Sequence, residues 1–371
     1  MIDKIEVSNY KIFKNKQIIN LKPITILFGK NNTGKSALMK LPVLISESLN
    51  GHPIKWSYII NNNSNDIVEL GKSFEDLIYN KSNIGTLNLR FENVTHSVSF
   101  SYNENENFLE LKCNDIFLSN LDRIKGLDDI PESEVFNFNI DFIDSIRVEG
   151  EANYYYLKEA FNSIGVKGQN AYQILIEDFL NEKSLINSVS DWYSENFEGW
   201  KLDVLENKNV TGNDYEIVIM RNNIPINLKQ TGQGIQQVLP LVTRAYLKCD
   251  KKTQIIIQEP ETHLHPAAHG NLAELFVSSL VDENKKYLIE THSENFILRL
   301  RALIANNKLS NDDLGLYYVD YIKEKGESIV REIEIDEFGN IKNNDWPDGV
   351  FNETLDEIEK IIEGQSKEVN E

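Results

Sequence analysis

The chain has 371 residues, of which 41% are hydrophobic and 26% charged, and a formal net charge of −20. This describes a folded, water-soluble chain of one large domain with an insertion, or of two domains; it lies outside the disordered and membrane ranges and excludes indiscriminate coating of polyanions, so any DNA contact is confined to a local basic patch. There is no apolar run of about 18 residues and no basic-then-apolar leader, and Cys113 and Cys249 show no metal or disulfide spacing, so a cytoplasmic, reducing location without membrane contact is expected.

Residues 4–8, 17–21 and 24–28 read as short strands, followed by a Gly/Asn-rich turn and a helix from residue 35 that Pro42 should kink or shorten. From 86 to about 142, alternating segments such as Thr86-Leu87-Asn88-Leu89-Arg90-Phe91 predict antiparallel strands with one wet face. Between about 152 and 200 the period changes, with Tyr156, Leu157, Ala160, Phe161 and Ile164 at helical spacing, which predicts a helical insertion. Strands around 215–220 and 224–228 follow. A helix over 238–247 and the apolar strands 255–257 and 286–289, each with a helix after it, then give the alternation of a mostly parallel α/β sheet. Leu355, Ile358, Ile361 and Ile362 predict an amphipathic terminal helix. The expected divisions are 1–150, 151–200, 201–350 and 351–371.

Four segments carry chemistry. Gly29-Lys30-Asn31-Asn32-Thr33-Gly34-Lys35-Ser36 satisfies G-x-x-x-x-G-K-[ST] between an apolar strand and a helix. Its glycines let backbone amides wrap a phosphate, Lys35 neutralises β/γ oxygens, and Ser36 offers its hydroxyl to Mg²⁺. Ile255-Ile256-Ile257-Gln258-Glu259-Pro260-Glu261 is an apolar strand ending in carboxylates, a Walker B pattern in which Glu259 is the general base. A third strand ends in Glu290-Thr291-His292-Ser293, where His292 can reach a γ-phosphate. Thr231-Gly232-Gln233-Gly234 opens an apolar helix and is a second candidate anion site. Two phosphate-type helix starts in one chain suggest a dimer. His263, His265 and His269 read as the turn after the Walker B strand rather than as a Zn²⁺ site, because Pro266 turns the chain and no thiolate or fourth ligand accompanies them.

Asn9-Tyr10-Lys11-Ile12-Phe13, the glycine loop, Glu259-Pro260-Glu261-Thr262-His263-Leu264-His265-Pro266 and Thr291-His292-Ser293 stand in the order seen in the ABC-like ATPases of the RecF, SMC and OLD group, which the chain resembles over nearly its whole length. Gly165-Val166-Lys167-Gly168, the 232–240 segment and Trp346-Pro347-Asp348-Gly349-Val350-Phe351 resemble more narrowly a bacterial subfamily often found in phage-defence operons, which lacks the TOPRIM nuclease. The resemblance implies an ABC-type ATPase head, a P-loop NTPase with a β-rich lobe and a helical insertion. It implies a head-to-head homodimer or higher homo-oligomer with ATP and Mg²⁺ between the glycine loop of one copy and Gly232, Gln233 and Gly234 of the other. The nucleotide would be held by Gly29, Asn31, Asn32, Thr33, Gly34, Lys35, Ser36 and Ala37. Lys35, Glu259 and His292 would be catalytic, Ser36 and Gln258 would face the metal, and residues 261–265 would form the dimer-facing D-loop.

Two departures from the family pattern point to slow turnover. Gln258 stands where an acid is usual, and the signature turn is not L-S-G-G-Q. The leading expectation is an ATPase subunit whose dimer state controls a separate effector, such as a nuclease, in phage defence. A nucleotide-locked scaffold with negligible turnover and a RecF-like DNA repair ATPase remain as alternatives.

Overall fold

The computed structural model describes residues 1–49, 57–59, 67–71, 74–81, 86–92, 97–103, 108–113, 116–120, 138–207, 213–344 and 346–347. The expected terminal helix, the 351–371 division and most of the late Trp-Pro-Asp-Gly motif lie outside these residues.

The chain opens with β1 (Lys4–Ser8), β2 (Gln17–Asn20) and β3 (Ile24–Phe28). Burial alternates along β1 and β2, whereas every residue of β3 is buried. This separates strands with one wet face from a strand covered on both. The helical segment after β3 divides at Lys40 into α1 (Lys35–Met39) and α2 (Leu41–Leu49). Pro42 thereby sits in a first turn, where a missing N–H breaks no bond. After a small antiparallel pair, β4 (Ser57–Ile59) and β5 (Ile67–Glu69), come β6 (Thr86–Glu92), β7 (Ser97–Asn103), β8 (Phe108–Cys113) and β9 (Ile116–Asn120). They extend β1 and β2 into a six-stranded antiparallel sheet of order β2-β1-β6-β7-β8-β9.

The second half supplies β10 (Asn139–Ile143), β11 (Tyr154–Tyr155), α3 (Ala171–Leu180), α4 (Ser184–Asn196), β12 (Lys201–Glu206), β13 (Asp214–Arg221) and β14 (Ile224–Asn227). It continues with α5 (Gln233–Tyr246), β15 (Thr253–Gln258), α6 (Pro266–Ser279), β16 (Lys285–Thr291), α7 (Glu294–Ala305), β17 (Leu314–Ile322) and β18 (Glu327–Glu332). The central sheet runs β10-β15-β16-β3-β17-β18, parallel except for the last pair. Strand β13 carries β11, β12 and β14 in a separate antiparallel sheet.

Alternation along the central strands divides the core in two. Ile24, Ile26, Phe28, Ile255, Ile257, Tyr287 and Ile289 join one cluster, and Leu27, Ile256 and Leu288 join the other. Side chains of period 2 thus feed both faces of a parallel sheet, as its near-continuous apolar runs require. Among the described residues no helix is long and apolar enough to cross a membrane.

One expected element is corrected. Residues 156–164 form no helix, and Tyr154–Tyr155 pairs with β13 instead; the helices of this stretch are α3 and α4. Of the five residues at helical spacing only Ile164 is buried, and Leu157 is 51% exposed. Tyr156, Phe161 and Ile164 do pack on the core, but from an irregular backbone whose donors bond outside the segment, Tyr156 N to Asn213 O and Leu157 N to Gln173 Oε1, which leaves them no i→i−4 ladder.

Candidate nucleotide-binding site

The loop between β3 and α1 is built around positions that exclude a side chain. Gly29 has φ +144°, and a Cβ there would lie 2.3 Å from the Val319 carbonyl oxygen on β17. Gly34 caps α1 at φ +98°, with a Cβ position 2.8 Å from the Phe13 ring. Phe13, from the segment after β1, is thus the floor against which the loop turns. Within the loop, Thr33 Oγ1 donates to Lys30 O at 3.0 Å, and Lys35 Nζ donates to Gly29 O and Lys30 O at 3.1 and 2.8 Å. The lysine is folded back across its own loop, with its side chain 2% exposed.

Sheet order brings the acids to this loop. Strand β16 lies directly beside β3, with Thr291 in register with Phe28, and β15 lies beside β16, with Gln258 in register with Glu290. Ser36 Oγ donates to Glu290 Oε1 at 3.0 Å, Gln258 Nε2 donates to Glu290 Oε2 at 3.2 Å, and Lys35 Nζ stands 3.9 Å from Glu290 Oε1. Glu259, just past β15, has φ +42° and accepts a bond from Thr262 Oγ1 at 3.4 Å. Glu261 is buried; its Oε1 accepts from Thr291 Oγ1 at 2.8 Å and from the His292 amide at 2.6 Å. Carboxylate and imidazole ligand atoms of Glu259, Glu290 and His292 all lie within 4.8 Å of one another.

These side chains open on one cavity of about 720 Å³, lined by Lys11, Ile12, residues 31–37, Glu259, Glu261, Glu290 and His292. Burial dominates its electrostatics. It pushes the Lys35 ammonium below its ordinary range against the pull of Glu290, Glu259 and Glu261. It raises the Glu290 carboxyl, an effect that Lys35, Ser36 and Gln258 oppose, and it raises Glu261 as well. The His292 imidazole is held below 6.5 by burial and by Lys35, and so is neutral at pH 7.

The structure brings together Asn31, Asn32, Thr33, Gly34, Lys35, Ser36, Ala37, Glu259 and His292, with Gly29 supplying a carbonyl to Lys35. Gln258 is not among the lining residues, and its amide is directed at Glu290. Gly232, Gln233 and Gly234 begin α5 and are not among them either. They form a second built region, in which a Cβ on Gly234 would meet His263 O at 2.6 Å and Gln233 Nε2 donates to Glu149 Oε1 at 3.2 Å. The next two side chains tie α5 to the segment after β10: Gln236 Oε1 accepts from the Gly150 amide, and Gln237 bonds both backbone groups of Arg147. His265 caps α6 through Ala267 N, and His269 bonds Ser293 Oγ and Leu264 O, so two of the three clustered histidines hold local turns.

Sequence reasoning passed over Glu290, Glu261, Lys11 and Ile12 as lining groups. The signal for Glu290 was the acid directly before Thr291-His292-Ser293, whose meaning depends on strand register.

A glycine loop from a buried parallel strand, a helix starting on it and carboxylates from the ends of the next two strands on one side, β16 and β15, define a P-loop nucleotide-binding head of the ABC type. The family profile described as AAA ATPase domain matches residues 1–297, and the chain belongs to that family. A second profile, "Protein of unknown function (DUF3696)", matches residues 309–361. No curated protein matches in sequence. Among solved structures, an SMC head bound to the C-winged helix domain of ScpA matches at 13% identity with TM-score 0.53, covering 90% of this chain and 98% of that one. The SMC head domain from Thermotoga maritima matches at 12% identity and TM-score 0.47, over 90% and 99% of the two chains. An SMC head with an extended coiled coil from Pyrococcus furiosus, bound to the C-terminal domain of ScpA, matches at 13% and 0.49, over 98% and 99%. The first of these shows that the fold is that of an SMC head.

Proposed function

We propose that this chain binds ATP with Mg²⁺ in the cavity above β3 and hydrolyses it slowly, and that two copies meet head to head around the nucleotide to regulate a partner effector in phage defence. The observation that carries the chemistry is the convergence of the glycine loop, Lys35, Ser36 and three carboxylates on one cavity, whose size suits a bound nucleotide. The Ser36 hydroxyl and the Glu290 carboxylate are hard oxygen donors of the kind Mg²⁺ selects. When bound, the ion supplies positive charge to the β/γ oxygens.

The protein's own groups do the rest. Lys35 exchanges the Gly29 and Lys30 carbonyls for phosphate oxygens, recovering as ion pairing what burial costs its ammonium. Glu259 orients a water at the γ-phosphate and accepts its proton. Neutral His292 donates a hydrogen bond or accepts one at the same water without adding a second cation beside Lys35. Gly232, Gln233 and Gly234 present the start of α5 to the partner copy's nucleotide, the positive end of a helix that favours anions.

The assembly is supported by the resemblance of the D-loop segment 261–265 to that of the ABC-like group, and the defence role by the narrower resemblance of the 165–168, 232–240 and 346–351 segments to the phage-defence subfamily. Local DNA contact belongs to the repair alternative and predicts ATP-dependent retention of gapped DNA. Lys35→Ala is expected to abolish nucleotide binding measured by equilibrium dialysis; retained affinity rejects the site. Glu259→Gln is expected to keep binding, lose turnover and accumulate as an ATP-bound dimer in light scattering. A wild type that binds ATP without turnover and matches Glu259→Gln in assembly makes the chain a scaffold instead.

A further inference from the structure

Gln258 ends β15 at the position where an acid would be expected to serve the metal, and a neutral amide brings no charge to it. Its register partner across the strand gap is Glu290 on β16. Both oxygens of Glu290 are held: Oε1 accepts from the glycine-loop hydroxyl of Ser36 at 3.0 Å, and Oε2 accepts from the Gln258 amide at 3.2 Å. The carboxylate is 97% covered yet opens on the phosphate cavity beside Ser36, while Gln258 is not among the residues that line it. In P-loop NTPases the ion is held by the loop Ser/Thr together with a carboxylate from a neighbouring strand end. Here the carboxylate that touches the loop hydroxyl comes from β16, directly beside the loop strand β3, and not from the Walker B strand β15 one place beyond it. A second acid at 258 would face Glu290 at hydrogen-bond distance, and two buried carboxylates so placed cannot both ionise.

We propose that Glu290 is the metal-side carboxylate of this nucleotide site, and that Gln258 is a positioning residue that fixes it by donating to Oε2. The acid stands on β16 and the amide on β15, so the site keeps a carboxylate while the Walker B strand ends in a neutral group. This inference rests on the reading of the cavity as an ATP and Mg²⁺ site.

The test is the affinity for a non-hydrolysable ATP analogue by equilibrium dialysis, in EDTA and in Mg²⁺, with Mn²⁺ binding followed by electron paramagnetic resonance. Wild type is expected to bind more tightly with Mg²⁺ than in EDTA. Glu290→Gln is expected to keep its affinity in EDTA and to lose about 10-fold or more of the metal-dependent gain, the scale on which groups that organise a metal site act. The exchange variant Gln258→Glu/Glu290→Gln restores the amide–carboxylate pair in reverse and is expected to regain the metal-dependent gain and the Mn²⁺ signal. A Glu290→Gln protein with the full gain overturns the proposal, as does an exchange variant no better than Glu290→Gln. Thermal melts accompany each variant; if Glu290→Gln does not fold, Glu290→Ala is read in its place, and an undiminished gain there is the overturning result. Wild type that binds no analogue under either condition sinks the ATP reading itself, a failure distinct from that of Glu290.

Discussion

The ion pair between Asp141 on β10 and Arg244 on α5 fastens the helix that begins at the glycine turn to the edge of the parallel sheet. Arg244 Nε stands 2.6 Å from Asp141 Oδ2 with both side chains 2% exposed, and the guanidinium also donates to Leu247 O and Cys249 Sγ. At 2.6 Å the gross attraction is about 6 kcal/mol for an effective dielectric of about 20. Most of that offsets the desolvation of two ions, so the useful quantity is the cost of removing one partner, about 3–5 kcal/mol for a buried pair. Asp141→Ala is expected to fall in that range, because Arg244 keeps only neutral acceptors. Asp141→Leu/Arg244→Met removes both charges and is expected to cost far less than the single change. Urea unfolding followed by tryptophan fluorescence gives the free energies for a double-mutant cycle. Nucleotide affinity should stay at the wild-type level in Asp141→Ala, since neither residue lines the phosphate cavity, whereas ATP-dependent association should weaken as α5 loosens. A loss below about 1 kcal/mol for the single variant, or a double variant less stable than the single one, refutes this reasoning.

Gly34→Ala places a Cβ 2.8 Å from the Phe13 ring at φ +98°; a stability loss of about 1–3 kcal/mol and failure to bind nucleotide are expected in thermal melts and dialysis. Gly234→Ala sets a Cβ 2.6 Å from the His263 carbonyl, so this variant should melt earlier and lose ATP-dependent dimerisation in light scattering while its isolated phosphate site still binds. Burial holds the His269 imidazole below its ordinary 6.5, so the unfolded chain takes up a proton first as the pH falls. The stability contributed by neutral His269 is complete above pH 6.5 and is lost as the pH drops from there through the folded value; His269→Gln should flatten that part of the urea stability curve against pH.

The parts of the fold legible in the sequence are those in which local pattern and burial coincide. The runs at 24–28 and 255–257 read as strands because every side chain but that of Thr25 is apolar, and each is covered on both faces. The glycine loop was legible because Gly29 and Gly34 take conformations that other residues resist. The stretch over 156–164 was misread because spacing alone does not fix the backbone: Tyr156 and Phe161 pack on the core from a segment whose amides bond to Asn213 and Gln173 instead of to one another. Helix α5 starts at Gln233, five residues before its apolar run at Val238, because its first turn is polar and fastened by Gln236 and Gln237. Glu290 was hidden for a different reason. Its partner Gln258 is 32 residues away, and only the insertion of β16 between β15 and β3 makes that separation a contact.

Several groups that break local rules line or adjoin the phosphate cavity. Glu259 adopts a left-handed backbone, a strain of about 1–2 kcal/mol for a residue with a Cβ. Lys35 and Glu290 are charged side chains in the interior, held 3.9 Å apart. Glu261 Oε2 and the Nε and Nη2 of Arg147 are buried without a hydrogen-bond partner, and Glu261 and Glu259 are among the charges that Arg147 feels. Each of these arrangements lowers stability taken alone. Their concentration beside a glycine loop is what a site prepared for a multiply charged ligand looks like, because phosphate oxygens arriving there gain cationic partners that the folded chain has already desolvated. Added nucleotide should therefore raise the unfolding temperature of wild type more than that of Lys35→Ala, and an equal rise in both would place the binding elsewhere.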